Sequence, residues 1–381
     1  MTAHDRERAE AGAPRAAGAT PAFAAADPAA GVSSTLDARA REVLGAQGFS
    51  RVGFARVDGP EERAARLGAW LDRGHAGAMD YIARNAARRA DPRLVLAGCR
   101  SVIVVSVRYD APRPLTVARP DSDAAEIAAY ARGSDYHRVL GRRLRRVRDA
   151  LTAELGGTFR YYVDDGPVLE KWWAARAGIG WIGKHTCVID GHAGSWSFLG
   201  VLLTTLELTP DPPAIDHCGN CRACLDACPT GAFPEPYVLD SRRCISYLTI
   251  EERGEWPAAL EESSGRLVFG CDICQAVCPF NREVRTDGDP ELAPRPENVR
   301  PSIAELASLD EASFRTRFAS SPVLRAKARG LLRNVIIALA NSADPRHREI
   351  LDRMAARDDV RGDPVLRATL ERACKRLGSP L

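Results

Sequence analysis

The stretch CGNCRACLDACP, Cys218 to Pro229, constrains this chain more than any other. Cysteines recur at every third position, one more follows after three residues, and a proline ends the run. A four-iron, four-sulfide cube needs four thiolates converging from different directions. The Cys-x2-Cys-x2-Cys-x3-Cys-Pro spacing of bacterial ferredoxins supplies three from one short loop and turns the last toward a neighbouring cluster. The spacing therefore predicts a second run. Cys271-x2-Cys274-x3-Cys278-Pro279 provides it, one leading cysteine short, and Cys244 between the runs completes the count. The assignment is Cys218, Cys221, Cys224 and Cys278 on one [4Fe–4S] cluster, and Cys228, Cys244, Cys271 and Cys274 on the other. Paired CxxC motifs also serve zinc, but a three-pronged run closing on Cys-Pro favours iron–sulfur chemistry. Of eleven cysteines, only Cys99, Cys187 and Cys374 fall outside this region, and these read as small buried apolar residues.

Two clusters carry single electrons and bind no substrate, so the rest of the chain must hold whatever consumes those electrons. The 381 residues suffice for two or three domains. Residues 1–34 are rich in Ala, Pro and Gly, have no apolar core of a signal peptide, and read as a disordered extension without a twin-arginine leader. The longest apolar runs, such as SVIVVSV (Ser101 to Val107), are too short to span a bilayer. The cytoplasm is the expected compartment, because clustered thiols there are metal ligands more often than disulfides.

Residues 35–210 mix helical and strand patterns without a βαβ rhythm. TLDARAREVLGAQG and PEERAARLGAWLDRGH read as helices, SVIVVSVRY as a buried strand, and DAAEIAAYARGSDYHRVLGRRLRRVRDALTAEL as a long helix interrupted at Gly133. FRYYVDD reads as a strand ending at Asp164 and Asp165, and PVLEKWWAARAG as a helix with Pro167 at its first position. TCVIDG and SWSFLGVLLTTLEL read as two more strands. The expected fold class is α+β in three parts after the extension: a mixed α/β domain to residue 210, a ferredoxin-like module over 211–285, and α-helical repeats over 286–381 whose last three segments resemble HEAT-type helix pairs. No GxGxxG opens a helix after a strand, so a Rossmann site is unsupported. In DYHRVLG (Asp135 to Gly141) the glycine stands one position late for the DxHxxG motif of histidine-ligated cobalamin, which rejects His137 as a cobalt ligand by that motif.

At YYVDDGPVLEKWWAARAGIGWIGKHT (Tyr161 to Thr186) the chain resembles the epoxyqueuosine reductases. The likeness extends to MDYIARNAARRADP (Met79 to Pro92), YARGSDYHRVL (Tyr130 to Leu140), CPTGAFPEPYVLDSRRCISYLTIEE (Cys228 to Glu252) and GCDICQAVCPFN (Gly270 to Asn281), and covers about residue 36 to the C-terminus. It implies a cytoplasmic, monomeric oxidoreductase that holds cobalamin in the first domain beside two [4Fe–4S] clusters. It also implies the last step of queuosine synthesis, in which epoxyqueuosine at the wobble position of a GUN-anticodon tRNA loses its epoxide oxygen. The electron donor would be of flavodoxin or ferredoxin type. The family's general acid opens its D-x-x-P-V-L-E motif and falls on Asp164; read from the sequence alone, that carboxylate is a helix N-terminal residue stabilised by the dipole. Cobalamin contacts are implied at Arg88, Asp164, Lys184, Ser246 and Asp272. Where the family commonly has other residues, this chain has Asp165, His185, Cys187 and Val201.

Removing an epoxide oxygen takes two electrons and two protons, so an acid must stand within hydrogen-bond reach of the departing oxygen. The tRNA needs clustered cations. Two basic stretches offer them: Arg132, Arg138, Arg142, Arg143, Arg145, Arg146 and Arg148, and then Arg315 to Arg333. From these, Arg132, Arg138, Arg142 and Arg333 are the expected tRNA contacts, with HEAT-like helices around GLLRNVIIALANS gripping the anticodon stem-loop. Trp172, Trp173, Trp181 and Trp196 are candidate pocket walls, with core packing as the plainer role. The rival enzyme class is a reductive dehalogenase using the same cofactors; a plain electron carrier would leave the first domain without a role.

Overall fold

The computed structural model describes residues 35–110, 123–282, 288–342, 344 and 346–378; the N-terminal extension lies outside the described residues. The strands are β1 (Arg51–Arg56), β2 (Ser101–Arg108), β3 (Glu126–Ile127), β4 (Phe159–Tyr162), β5 (Trp181–Ile182), β6 (Val188–Ile189), β7 (Ser197–Thr204) and β8 (Leu267–Phe269).

The apolar run SVIVVSV becomes β2, buried along its length because both faces of its sheet are covered. That sheet runs β1-β2-β7-β4, and its neighbours pair antiparallel throughout. Since strand side chains alternate faces, Ile103, Val105 and Val107 pack with Leu140, Leu144, Val147 and Leu151 of the helix Tyr136–Leu155. Val102 and Val104 face the other way, onto Trp173 and Ala174 of the helix Glu170–Arg176. Val201 also lies in this second apolar layer, fully buried. The antiparallel order supports the α+β class.

Three local expectations change. The stretch DAAEIAAYARG is not helical: Glu126 and Ile127 form β3, which pairs parallel with β8, and Ala129–Ala131 make one tight turn. The reason is tertiary. Ala125 and Ile127 are fully buried in a core shared with Val268, Ile336 and Leu339, and that burial outweighs helix propensity. The helix proper begins at Tyr136, where Asp135 accepts the His137 amide at its N-terminus. Likewise the helix expected from Pro167 starts at Glu170, and β4 stops at Tyr162, before Asp164.

The C-terminal residues form helices at Ile303–Ala307, Glu311–Arg317, Lys327–Ala340, Arg346–Ala355 and Pro364–Arg376. Leu331 through Leu339 are all buried, so this helix is central to its layer rather than amphipathic. Because β3 pairs β8 and the residues around it join the helical core, the boundaries at 210 and 285 do not separate independently packed parts: Ser34–Leu381 form one compact unit.

Gly53 in β1 marks the tightest contact between the sheet and its cover. A Cβ there would sit 1.9 Å from the Ala177 carbonyl oxygen, just past the helix Glu170–Arg176. Gly53→Ala should therefore push that helix off the sheet and destabilise the protein by about 1–3 kcal/mol, read as a lower denaturation midpoint. An unchanged midpoint would show that the contact is not constraining.

Candidate functional site

The eight clustered cysteines gather as two groups. The thiol of Cys224 is lifted to about 11 by burial and then by the nearby Cys278, Cys218 and Cys221. Cys271 is pushed up by burial, with Cys244 and Cys228 adding repulsion, and Cys274 by burial with Cys271 and Cys244 among its neighbours. These neighbourhoods place Cys278 near the Cys218–Cys224 run and Cys228 near Cys271. Buried thiols that repel one another resist ionisation until a cation compensates, so the donor sets fit iron–sulfur cages. Among the described residues no group of His, Cys, Asp or Glu closes tightly enough to hold a single metal ion, whereas a cube spreads its thiolates wider.

Backbone donors surround the sulfurs. The amides of Tyr247 and Ser246 point to Cys244, that of Ile273 to Cys271 and that of Lys184 to Cys218, while the Ala232 amide donates to Cys228 Sγ at 3.4 Å. Asp272 is 2% exposed. It accepts the Ala129 amide at 2.6 Å, tying the second cage to the first part of the chain, and burial lifts its carboxyl to about 6.

Asp164 lies where the chain leaves β4, at φ +60°, a left-handed conformation that a side chain disfavours. Two contacts hold it. Tyr136 Oη donates to Asp164 Oδ2 at 2.6 Å, and the Asp164 amide donates to Glu170 Oε1 at 2.7 Å. The helix N-terminal role thus falls to Glu170, in the first turn, and not to Asp164. Burial first, then the charge of Asp164, raises the Glu170 carboxyl to about 8. Arg89 faces Tyr81, Asp164 and Glu170, and burial lowers its guanidinium.

Behind Tyr136 stands an aromatic wall. Phe198 stacks on Tyr136 at 4.1 Å and 8°, Tyr109 meets Phe198 at 4.7 Å and Trp196 at 6.1 Å, and Tyr130 meets Tyr136, Phe198 and Phe269. Tyr130, raised by burial, feels Asp164, Asp272 and Cys244 together. Tyr130 thus packs on Tyr136, which holds the carboxylate, and on Gly270, next to Cys271. Arg89 Nε and Trp196 Nε1 are buried here without a hydrogen-bond partner.

Not every expected residue reaches this place. Arg88 is exposed on the helix Ala86–Ala90, and the neighbouring Arg89 is the one that turns inward. Lys184 Nζ donates to the carbonyls of Gly219 at 2.5 Å and Cys221 at 2.9 Å, bracing the first cysteine loop. Ser246 is half-buried beside Cys244. Two expected tRNA contacts prove internal. Arg132 is buried, with Nε donating to the Ile127 carbonyl and Nη2 facing Glu126. Arg333 is 1% exposed; it donates to the carbonyls of Glu252, Gly254 and Leu248, and stacks on Trp256. Both are structural cations. Arg138 and Arg142 are exposed; Arg138 reaches Ser320 Oγ and Arg142 pairs with Glu291. His137 stacks on Tyr136 at 4.1 Å and bonds Asp135 at 2.8 Å. Trp173, Trp181 and Trp196 are buried and Trp172 half-buried, as wall and core residues. Cys99 and Cys374 are buried as expected, but Cys187 is not inert packing: burial raises its thiol, and His185 and Lys171 more than reverse this, to about 7.

Residues missed from the sequence are Tyr136, Tyr130, Glu170 and Arg89. Each lay inside a motif already singled out, but none carried a spacing signal of its own. Two cavities, about 460 Å³ bordered by Ser50, Arg51 and His192 and about 680 Å³ bordered by Ile350, Met354 and Arg357, lie elsewhere.

The comparisons agree with this arrangement. The family described as 4Fe-4S double cluster binding domain matches residues 217–281, and that described as Epoxyqueuosine reductase QueG, DUF1730, matches residues 89–165. Epoxyqueuosine reductase from Pseudomonas aeruginosa is 42% identical over 339 residues, covering 87% of this chain and 91% of the relative. That from Gloeobacter violaceus is 43% identical, covering 82% of this chain and 97% of the relative. A crystal structure of epoxyqueuosine reductase with an epoxyqueuosine-modified tRNA-Tyr stem loop superposes with TM-score 0.82 at 29% identity, covering 90% of each chain. One from Streptococcus thermophilus gives TM-score 0.79 at 29% identity, covering 90% of this chain and 91% of that one. The protein belongs to the epoxyqueuosine reductase family.

Proposed function

We propose that the chain reduces epoxyqueuosine to queuosine at the wobble position of tRNA anticodons, the last step of queuosine synthesis, using two [4Fe–4S] clusters and cobalamin. The observation that carries this reading is the Tyr130–Tyr136 wall, which meets both the Asp164 carboxylate and the Cys244–Asp272 edge of a cysteine cage, in a chain of this family. The aromatic wall, with Arg89 Nε and Trp196 Nε1 unpaired beside it, fits a large flat macrocycle edged by amides and a phosphate. Arg89, Trp196, Ser246 and Asp272 would hold it, whereas Lys184 is committed to the cysteine loop. Bound cobalamin supplies a strongly reducing cobalt centre that the clusters recharge one electron at a time.

The chain's own residues handle the protons. The epoxide becomes an alkene, and its oxygen leaves as water after accepting two protons. Asp164 is exposed on its turn, open to a substrate, and Tyr136 orients the carboxyl from behind. Glu170 clamps the Asp164 amide, so the carboxylate keeps one position despite the unfavourable backbone. Burial raises the Glu170 carboxyl to about 8, so at neutral pH it holds the Asp164 amide in its neutral form. The outer face of Tyr136–Leu155, with Arg138, Arg145 and Arg146 exposed, offers phosphate contacts next to the Arg315 segment. The C-terminal helices act as HEAT-like supports for the anticodon stem-loop. The protein works as a cytoplasmic monomer fed by a flavodoxin- or ferredoxin-type donor; among the described residues no helix is long and apolar enough to cross a membrane.

The direct test is nucleoside mass spectrometry of tRNA from cells lacking this protein and any other enzyme of the same activity. Epoxyqueuosine should accumulate and queuosine disappear; persistent queuosine would refute the assignment. Asp164→Asn should lower turnover about 10²–10⁴-fold while leaving iron content and tRNA affinity intact. For Glu170 the sign follows from its raised carboxyl: its neutral form is present below about pH 8 and lost above it. Wild-type activity should therefore fall on the alkaline side. Glu170→Gln keeps an oxygen for the Asp164 amide and cannot ionise, so it should flatten that limb; an alkaline limb identical to wild type would rule Glu170 out as its origin. Replacing Arg145 and Arg146 by Ala should weaken tRNA binding. It should also reduce the salt dependence by about one unit of log–log slope for each phosphate no longer neutralised, as read by fluorescence anisotropy across a salt series.

A further inference from the structure

The short hairpin β5–β6 packs Val188 toward the sheet's apolar layer and Trp181 and Ile189 against the first cysteine group. Trp181, Ile189 and Cys278 form one buried apolar cluster with Cys218 and Phe280 packed on it. The Trp181 indole is wedged edge-on between the rings of His217 at 5.0 Å and Phe280 at 4.8 Å, so it cannot swing away. His185, on the connection between the two strands, is 2% exposed. The Cys187 amide donates to His185 Nδ1 at 3.1 Å, which places the ring proton on Nε2.

Two aromatic N–H donors are thereby buried in an apolar setting. Neither Trp181 Nε1 nor His185 Nε2 makes a hydrogen bond to any nitrogen, oxygen or sulfur atom. A buried donor without an acceptor is costly, and the groups these side chains meet are sulfurs: Trp181 meets Cys218, and His185 meets Cys278 as well as Cys187. Lys184, between them in sequence, brings its amide to Cys218 and its ammonium to the carbonyls of Gly219 and Cys221. The second group differs. Cys228 has the Thr230 hydroxyl at 3.5 Å and the Ala232 amide at 3.4 Å, Cys244 and Cys271 meet backbone amides, and Cys274 lies near the Asp272 carboxyl and the Cys187 thiol; among the described residues no buried aromatic N–H joins them.

Adding an electron to a cluster increases the negative charge on its sulfurs. Donors and cations stabilise that state, and acidic neighbours oppose it. We propose that the β5–β6 hairpin is a redox-setting clamp on the first cluster: the unpaired Trp181 Nε1–H and His185 Nε2–H donate to the sulfurs of that cluster when it is bound and, with Lys184, hold it at a higher potential than the second. Both side chains are positioning residues, acting through the cluster and not on substrate. Cys221 is exposed, so the first cluster also lies nearer the surface. Electrons enter at the easier-to-reduce site; the step inward to the cluster beside Tyr130 is uphill and is drawn forward by their consumption in the reduction of the substrate.

The inference rests on the two-cluster assignment, and the experiment separates the two. Anaerobically purified holoprotein is titrated by EPR-monitored reduction as wild type, Trp181→Phe and His185→Leu. Each variant removes one N–H while keeping an apolar side chain. Two cluster transitions in wild type are required by the assignment, and their absence would fault it and not the clamp. Given two, the higher should fall in each variant by about tenfold in its reduction constant, or about 59 mV for a one-electron couple, with the lower unmoved and iron and sulfide content unchanged. If Trp181→Phe loses iron, the His185→Leu titration decides alone. Potentials that stay put, or move equally in both clusters, overturn the clamp. Loss of the cluster in both variants does the same, because the hairpin would then be a wall and not a tuner.

Discussion

The fold turns on a crossing of two thiolates. In the proposed assignment Cys278 closes the cage begun by Cys218, Cys221 and Cys224, and Cys228 joins the cage of Cys244, Cys271 and Cys274. Each run of cysteines is incomplete alone, so the segments around 218–228 and 271–278 must lie face to face before either cluster can be bound. Burial and mutual repulsion make the bare thiolates unfavourable, so iron binding supplies part of the stability of this region. The surrounding network carries that constraint outward. Asp272 accepts the Ala129 amide, while Asn334 donates to the carbonyls of Thr249 and Val268 and Arg333 to those of Leu248 and Glu252. The C-terminal helix Lys327–Ala340 thus works as a bolt through the cluster region, which explains why polar side chains sit in its most buried stretch.

The carboxylate site is built by a different means. A non-glycine residue at φ +60° is tolerated only where its surroundings over-determine it, and at Asp164 one contact holds the amide and another the side chain. Tyr136 in turn is fixed by stacking on Phe198, which sits on β7 in the middle of the sheet. A continuous path of packed groups therefore links the buried strand pair β2–β7 to the Asp164 carboxylate.

Much of this was legible in the sequence, for identifiable reasons. Cysteine spacing is a local code for a three-dimensional cage, so both ligand sets could be assigned before any fold was known. SVIVVSV announced a strand covered on both faces. What failed depended on distant contacts. The helical pattern of DAAEIAAYARG gave way because Ile127 found a partner strand more than a hundred residues away. Arg132 and Arg333 looked like phosphate ligands because a sequence cannot show that carbonyls surround a guanidinium. Arg88 and Arg89 are indistinguishable in composition, and only the turn of a five-residue helix decides which faces Asp164. His185 and Cys187 stood out as departures from the family pattern, but their role needed the position of Cys278 beside them.

The aromatic wall between the two halves of the site has a chemical purpose. Tyr109, Tyr130 and Tyr136 are all held in the protonated form by burial first and by nearby anions second. The wall therefore stays neutral at any working pH. On the side of Asp164 a proton must be available to the leaving oxygen. On the side of Cys244 and Cys274 a proton would compete with iron for the sulfurs. A neutral layer of buried rings separates the acid from the thiols. Asp272, lifted to about 6 yet anchored by the Ala129 amide, is a carboxyl on the cluster side of that layer, and its backbone contact keeps it from serving as a second acid.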